Sequence, residues 1–126
     1  MEKYLFIALG AAAGANARYL VGVWAAARFG AAFPAGTLLV NVTGSLISGC
    51  LIALAEGRLV LSPELRLLLA VGFLGSYTTF SSFSVESLAL AQEGGWRVAV
   101  VNIAGNNLLS LAAAALGFFL GRVIGS

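Results

Sequence analysis

Polar side chains recur at helical intervals in a chain otherwise too apolar to carry them cheaply. Thr37, Asn41, Ser45 and Ser48 follow spacings of four, four and three, and Asn102, Asn106 and Ser110 follow spacings of four. Each set falls on one face of a helix. A third stripe, Thr79, Ser82 and Glu86, lies within GFLGSYTTFSSFSVE (72–86). A single hydroxyl or amide in lipid is ordinarily interhelical glue, worth about 0.6 kcal/mol. Three stripes that include three asparagines point beyond glue, to a track of uncharged donors and acceptors along a permeation path.

The remaining chemistry suggests what would permeate. Acidic rings of the kind that line cation filters are missing. Arg18 is the one charge well inside its apolar segment, and a buried guanidinium keeps its proton. An anion is its natural partner, with snorkelling to the membrane interface as an equal alternative. Phe80 and Phe83 are three apart and share a helical face. Packing is the usual role of such residues. The other is electrostatic, since the edge of an aromatic ring is positive and can assist a small anion without trapping it. Gly72, Gly75 and the hydroxyls at 76–79 predict a break in the helix near residues 75–79. Irregular backbone at membrane depth is tolerated where protein or a water-filled cavity surrounds it, and carbonyls freed by a break can bind a cation.

These residues need long apolar elements to hold them. Of the 126 residues, 60% are hydrophobic and 10% charged, and mean hydropathy is +0.99. Charged residues make up about a quarter of a soluble domain, so the class is an all-α integral membrane protein. A crossing needs about 20 apolar residues, and the positions of the charges divide residues 1–126, read as one domain, into four spans near 4–28, 35–56, 65–92 and 97–122. The N-terminal apolar run continues through GANARYLVGVWAAAR and is expected to be a retained first helix rather than a cleaved signal. Pro34 suits the start of the second helix, Ser62-Pro63-Glu64 reads as a helix N-terminus, and Gly94-Gly95 should end the third helix. Trp24 and Trp96 fall near span ends, where amphipathic aromatics favour the interface.

With four spans both termini share a side. That side holds Lys3, Arg58, Arg66 and Arg122, and the other holds Arg28 and Arg97. The bias is weak, so the chain can be expected to insert either way up. The seven basic residues are scattered and predict no nucleic-acid partner. There is no histidine and only one cysteine, Cys50. These counts leave no histidine relay or multi-cysteine metal site, and no nucleotide-binding motif appears, so no enzyme is expected.

GFLGSYTTFSSFSVE resembles the signature of the CrcB/Fluc fluoride channels. NVTGSLISG (41–49) and GAAAGANARYL (10–20) resemble that family's second-helix and first-helix patterns. The resemblance runs over essentially the whole chain, with TTFSSF its most specific part. It implies a passive fluoride exporter that confers fluoride resistance, built as an antiparallel dual-topology homodimer with two pores in a bacterial inner membrane. It also implies a structural sodium ion at the dimer centre, held by backbone carbonyls of Gly75 and Thr78. By the same resemblance Asn41, Phe80 and Phe83 line the pore, Arg18 lines the vestibule, and Thr79, Ser82 and Glu86 form a polar track. Asn102, Asn106 and Ser110 match the fourth-helix polar line, although Asn102 stands where some members of the family carry tyrosine. Two alternatives remain on the residues alone. A small multidrug/proton antiporter would need an embedded carboxylate, for which Glu86 is the candidate, and a non-transporting assembly subunit would use the stripes only as glue.

Overall fold

The computed structural model describes residues 1–57, 61–93 and 95–126. Arg58, part of the charge comparison, and Gly94, expected at the end of the third helix, lie outside the described residues. The described chain is helical: α1 (Glu2–Phe29), α2 (Ala35–Glu56), α3 (Pro63–Arg66), a π-helical stretch (Leu67–Leu74), α4 (Gly75–Tyr77), α5 (Phe80–Glu93) and α6 (Trp96–Gly125). The third crossing, Pro63–Glu93, comprises α3, the π stretch, α4 and α5; with α1, α2 and α6 it gives four helical elements long and apolar enough to span a bilayer. The expected four spans are thus present.

Local chemistry sets the boundaries. Ser62 caps α3 by accepting a hydrogen bond from the Leu65 N–H at 3.2 Å, with Pro63 in the first turn. Pro34 immediately precedes α2, where its missing N–H costs nothing. Gly30 ends α1 at φ +83° and Gly95 precedes α6 at φ +101°, left-handed positions that favour glycine. Trp24 and Trp96 are both exposed. They lie near the α1–α2 and α5–α6 connections, which face the same side of a four-span bundle, as an interfacial belt requires.

Helices pack here backbone to backbone. A Cβ placed on Gly49 would run into the Ala114 carbonyl oxygen, and one on Gly117 into the Leu46 carbonyl oxygen. These two glycines let α2 and α6 form the most extensive helix pair. On the other side Gly10 and Gly14 of α1 bear on the Leu68 and Phe73 carbonyls, and Gly72 comes up against α1 in return. Such close approach maximises dispersion contact where lipid supplies no hydrophobic drive between helices. The large apolar side chains point largely outward. The π stretch coincides with the part of the third crossing that meets α1.

The third crossing therefore has two docking partners. Its first half lies on α1, whereas α5 lies on α6. The joint between them is where the helix stops.

Candidate functional site

The interruption is narrower than the sequence suggested. Gly75, Ser76 and Tyr77 stay helical, and the chain leaves the helix only at Thr78 and Thr79. Thr78 adopts an extended conformation (φ −80°, ψ 154°). Its N–H and hydroxyl both donate to the Leu74 carbonyl, at 3.1 and 2.9 Å, closing the first half of the crossing. Thr79 then opens α5 as its N-cap, accepting from the Ser82 N–H at 3.2 Å through its hydroxyl oxygen, which also donates to the Ser82 hydroxyl at 3.1 Å.

A break exposes backbone groups that cannot be left bare at membrane depth. Two side chains from other helices take them up. Asn41 of α2 accepts from the Thr79 N–H at 2.8 Å through Oδ1 and donates to the Thr79 carbonyl at 3.1 Å through Nδ2. One primary amide thus takes the Thr79 N–H that the break frees and adds a second contact at the Thr79 carbonyl. Arg18 of α1 donates from Nε to the Ser76 carbonyl at 3.0 Å. Gly44 makes room for this arrangement, because any Cβ there would strike the Thr78 methyl group.

Two cavities flank the break. A groove of about 320 Å³ is lined by Asn41, Ser45, Thr78, Thr79, Phe80, Phe83, Asn106 and Ser110, among others. Among the described residues no charged side chain lines it. A second cavity of about 310 Å³ is lined by Arg18, Thr37, Thr79 and Ser82. Thr79 belongs to both walls. The pair therefore offers a cationic chamber next to a neutral polar one, an arrangement that attracts an anion and then imposes no counter-charge to hold it.

The phenylalanines form one wall of the groove. Their ring centroids are 5.3 Å apart with a 58° angle between planes. Phe83 is 7% exposed and Phe80 75% exposed, so the wall begins inside the bundle and continues onto its outer face. Ser110 helps to line the groove, but its hydroxyl oxygen is itself buried, with no hydrogen-bond partner among the described residues.

The second-helix stripe divides along its length. Thr37 reaches the Arg18 chamber, Asn41 and Ser45 reach the groove, and Ser48 lines an apolar cavity beside the first half of the third crossing. Glu86 is drawn to the Thr37 end. Thr37 donates to its Oε1 at 2.8 Å, while Oε2 is buried with no partner among the described residues. Glu86 is thus tied to α2, and of its expected stripe only Thr79 and Ser82 bond each other.

The asparagines are bound mainly to one another. Asn41 Nδ2 donates to Asn106 Oδ1 at 2.9 Å, and Asn106 Nδ2 donates to Asn102 Oδ1 and to the Asn102 carbonyl, each at 3.0 Å. Asn102 donates in turn to the Ser87 hydroxyl at 2.9 Å. Both donors of Asn41 are engaged, so this residue braces the groove as well as lining it. Asn102 is 0% exposed and sits behind the wall, away from the groove-lining set. Ser87 was not singled out from sequence. Its signal was its position four residues after Phe83, on the same face of α5. Among the described residues no cluster of three or more histidine, cysteine or acidic side chains could hold a metal ion.

The chain was compared with known proteins. The family model described as "CrcB-like protein, Camphor Resistance (CrcB)" matches residues 5–118. A Chloroflexus aurantiacus protein named fluoride-specific ion channel FluC is 47% identical over 125 residues, covering 99% of both chains. Proteins of the same name from Maridesulfovibrio salexigens (45% over 124 residues, 98% of both chains) and Roseiflexus sp. (48% over 118 residues, 94% of this chain and 95% of the other) are similarly alike.

Proposed function

The chain belongs to the CrcB family, and from that premise we propose that it is a fluoride-selective channel that lets cytoplasmic fluoride leave the cell passively and so gives fluoride resistance. The single observation that carries this reading is the uncharged groove walled by Phe80 and Phe83, which shares Thr79 with the Arg18 chamber. Arg18 concentrates anions at the mouth. Beyond it the hydroxyls of the groove and the positive edges of the two rings replace the ion's water. Weak, distributed contacts allow the ion to leave as readily as it enters. An interior-negative potential drives an anion outward by about 2.3 kcal/mol per 100 mV.

A chain of this size completes such a path with a second copy, and we assign the partner as an antiparallel one in a bacterial inner membrane. The weak charge bias supports insertion both ways up. Phe80, largely exposed in a single chain, is the residue a partner would cover, converting the open groove into an enclosed pore in each half of the dimer. A tag at either terminus is expected to be reached from both faces of the membrane in intact cells; labelling confined to one face rules out dual topology.

The break also fits a structural sodium ion. The Thr79 N–H, which in an unbroken helix would serve the Gly75 carbonyl, goes to Asn41, and the Ser82 N–H that would serve Thr78 goes to the Thr79 hydroxyl. The carbonyls of Gly75 and Thr78 are thus deprived of their usual donors, and a cation can take those donors' place. Two oxygens from one chain are too few for a cation's shell, which again asks for a second copy. The neighbouring Ser76 carbonyl is held by Arg18 and is not offered. Bound there, sodium would supply only a fixed positive charge that joins the two breaks.

The function is tested with purified protein in liposomes loaded with fluoride or chloride, the voltage clamped by a potassium ionophore. Rapid fluoride efflux with chloride retained is the expected result. Comparable loss of both ions, or retention of both by folded protein, defeats the selective-channel reading.

A further inference from the structure

Asn102 touches no cavity in which an ion would travel, yet it is the fully buried midpoint of a continuous hydrogen-bonded line. The Thr79 N–H donates to Asn41, Asn41 to Asn106, Asn106 to Asn102, Asn102 to the Ser87 hydroxyl, and Ser87 to the Phe83 carbonyl at 2.7 Å. The line leaves Thr79 at the start of α5, crosses α2 and α6, and returns to α5 at Ser87, whose hydroxyl bonds back to Phe83. Phe80 and Phe83 lie between the two points of attachment.

Direction matters in this line. The oxygen of Asn102 is occupied by Asn106, so its amide nitrogen must face Ser87. Ser87 then has its proton for Phe83. Reversing any one amide would set donor against donor or acceptor against acceptor, and in a water-poor interior neither mismatch is cheaply repaired. The line therefore admits one arrangement, and α5 has few other lateral supports besides α6.

We propose that Asn102 and Ser87 are positioning residues for permeation: they fix the turn that carries Phe80 and Phe83 against the groove, and so set the rate of ion passage without touching the ion. The inference rests on the channel reading given above and adds to it two residues that act through Phe83.

The test uses the full-length protein reconstituted at low density, so that each active vesicle holds one channel. The time course then separates two quantities: the fraction of vesicles that empty reports how many channels folded, and the rate constant reports the property of each channel. Ser87→Ala removes the link between Asn102 and Phe83 with little change in volume, and Asn102→Leu removes the midpoint while keeping the bulk. The expected result for Ser87→Ala is a fluoride rate constant lowered about tenfold, equivalent to about 1.4 kcal/mol on the barrier, with the active fraction unchanged. Ser87→Thr, which keeps the hydroxyl, is expected to restore the rate. A wild-type rate constant in Ser87→Ala overturns the inference, whatever Asn102→Leu does. A lower active fraction at unchanged rate also overturns it, because that is the mark of a residue needed only for folding. Wild-type protein that passes no fluoride defeats the channel reading first, and the inference with it.

Discussion

Asn41→Leu is expected to abolish fluoride flux and to destabilise the protein at the same time. The leucine fills much the same space but leaves the Thr79 N–H, the Thr79 carbonyl and Asn106 Oδ1 without the partners Asn41 gives them. Each buried polar group deprived of its partner costs about 1–3 kcal/mol, so the combined loss is about 3 kcal/mol or more, large against the stability of an ordinary domain. The break would lose its clamp to α2, and the first turn of α5 would no longer present Phe80 and Phe83 in register. Asn41→Ala is expected to be milder in stability, because the space it opens can admit water to the orphaned groups, while flux still falls. Thermal unfolding in detergent, followed by efflux from liposomes, checks both statements. Unchanged unfolding and unchanged flux in Asn41→Leu would mean that the two hydrogen bonds to Thr79 are incidental.

The second large effect concerns the α2–α6 contact. Gly117→Leu is expected to prevent these helices from meeting, since even a Cβ there would overlap the Leu46 carbonyl oxygen and crowd Cys50. The obstacles are backbone atoms, and they cannot rotate aside as a side chain could. Overpacking of a close-packed interior typically costs about 1–3 kcal/mol and sometimes more, and the largest helix contact in the chain stands at the upper end of that range. The control is Gly105→Ala in the same helix. A Cβ at Gly105 meets only the Leu38 side chain, at 3.8 Å, which is ordinary contact, so this change should be close to neutral. Size-exclusion profiles and unfolding midpoints of the two variants provide the comparison. Equal behaviour would show that α2 and α6 are free to separate, contrary to the packing described.

Both predictions depend on features that differ in how far they could be read from residues alone. The four crossings were legible because charges are rare enough to mark where apolar segments end, as Arg28, Glu56, Arg97 and Arg122 do. The polar stripes were legible because helical spacing places residues four apart on one face. What the spacing does not give is the neighbour each face meets. Thr37 and Ser48 belong to the same stripe as Asn41, yet one holds Glu86 and the other lines an apolar cavity. Asn102 stands in line with Asn106 and Ser110 but is buried behind the wall, and Ser87, its partner, gave only a weak signal. Glu86 was placed with Thr79 and Ser82 by its spacing, whereas a threonine on another helix secures it. The widened turn at Leu67–Leu74 was invisible because a run of apolar residues has no period by which a shift of one residue could be noticed. The break was expected from glycines and hydroxyls together; the hydroxyl-bearing threonines are the residues that leave the helix, while Gly75 remains in it.

The divided docking of the third crossing has a consequence for how the protein is made. Its first half rests on α1, which leaves the ribosome before it, but α5 rests on α6, which leaves after it. Until α6 arrives, Ser87 of α5 has no Asn102 and Asn41 of α2 has no Asn106 to bond. A nascent chain stopped before Trp96 would hold a half-membrane helix that lipid does not favour. Synthesis of α6 is thus the event that commits the third crossing to the bilayer, and the site is assembled only once α6 has inserted.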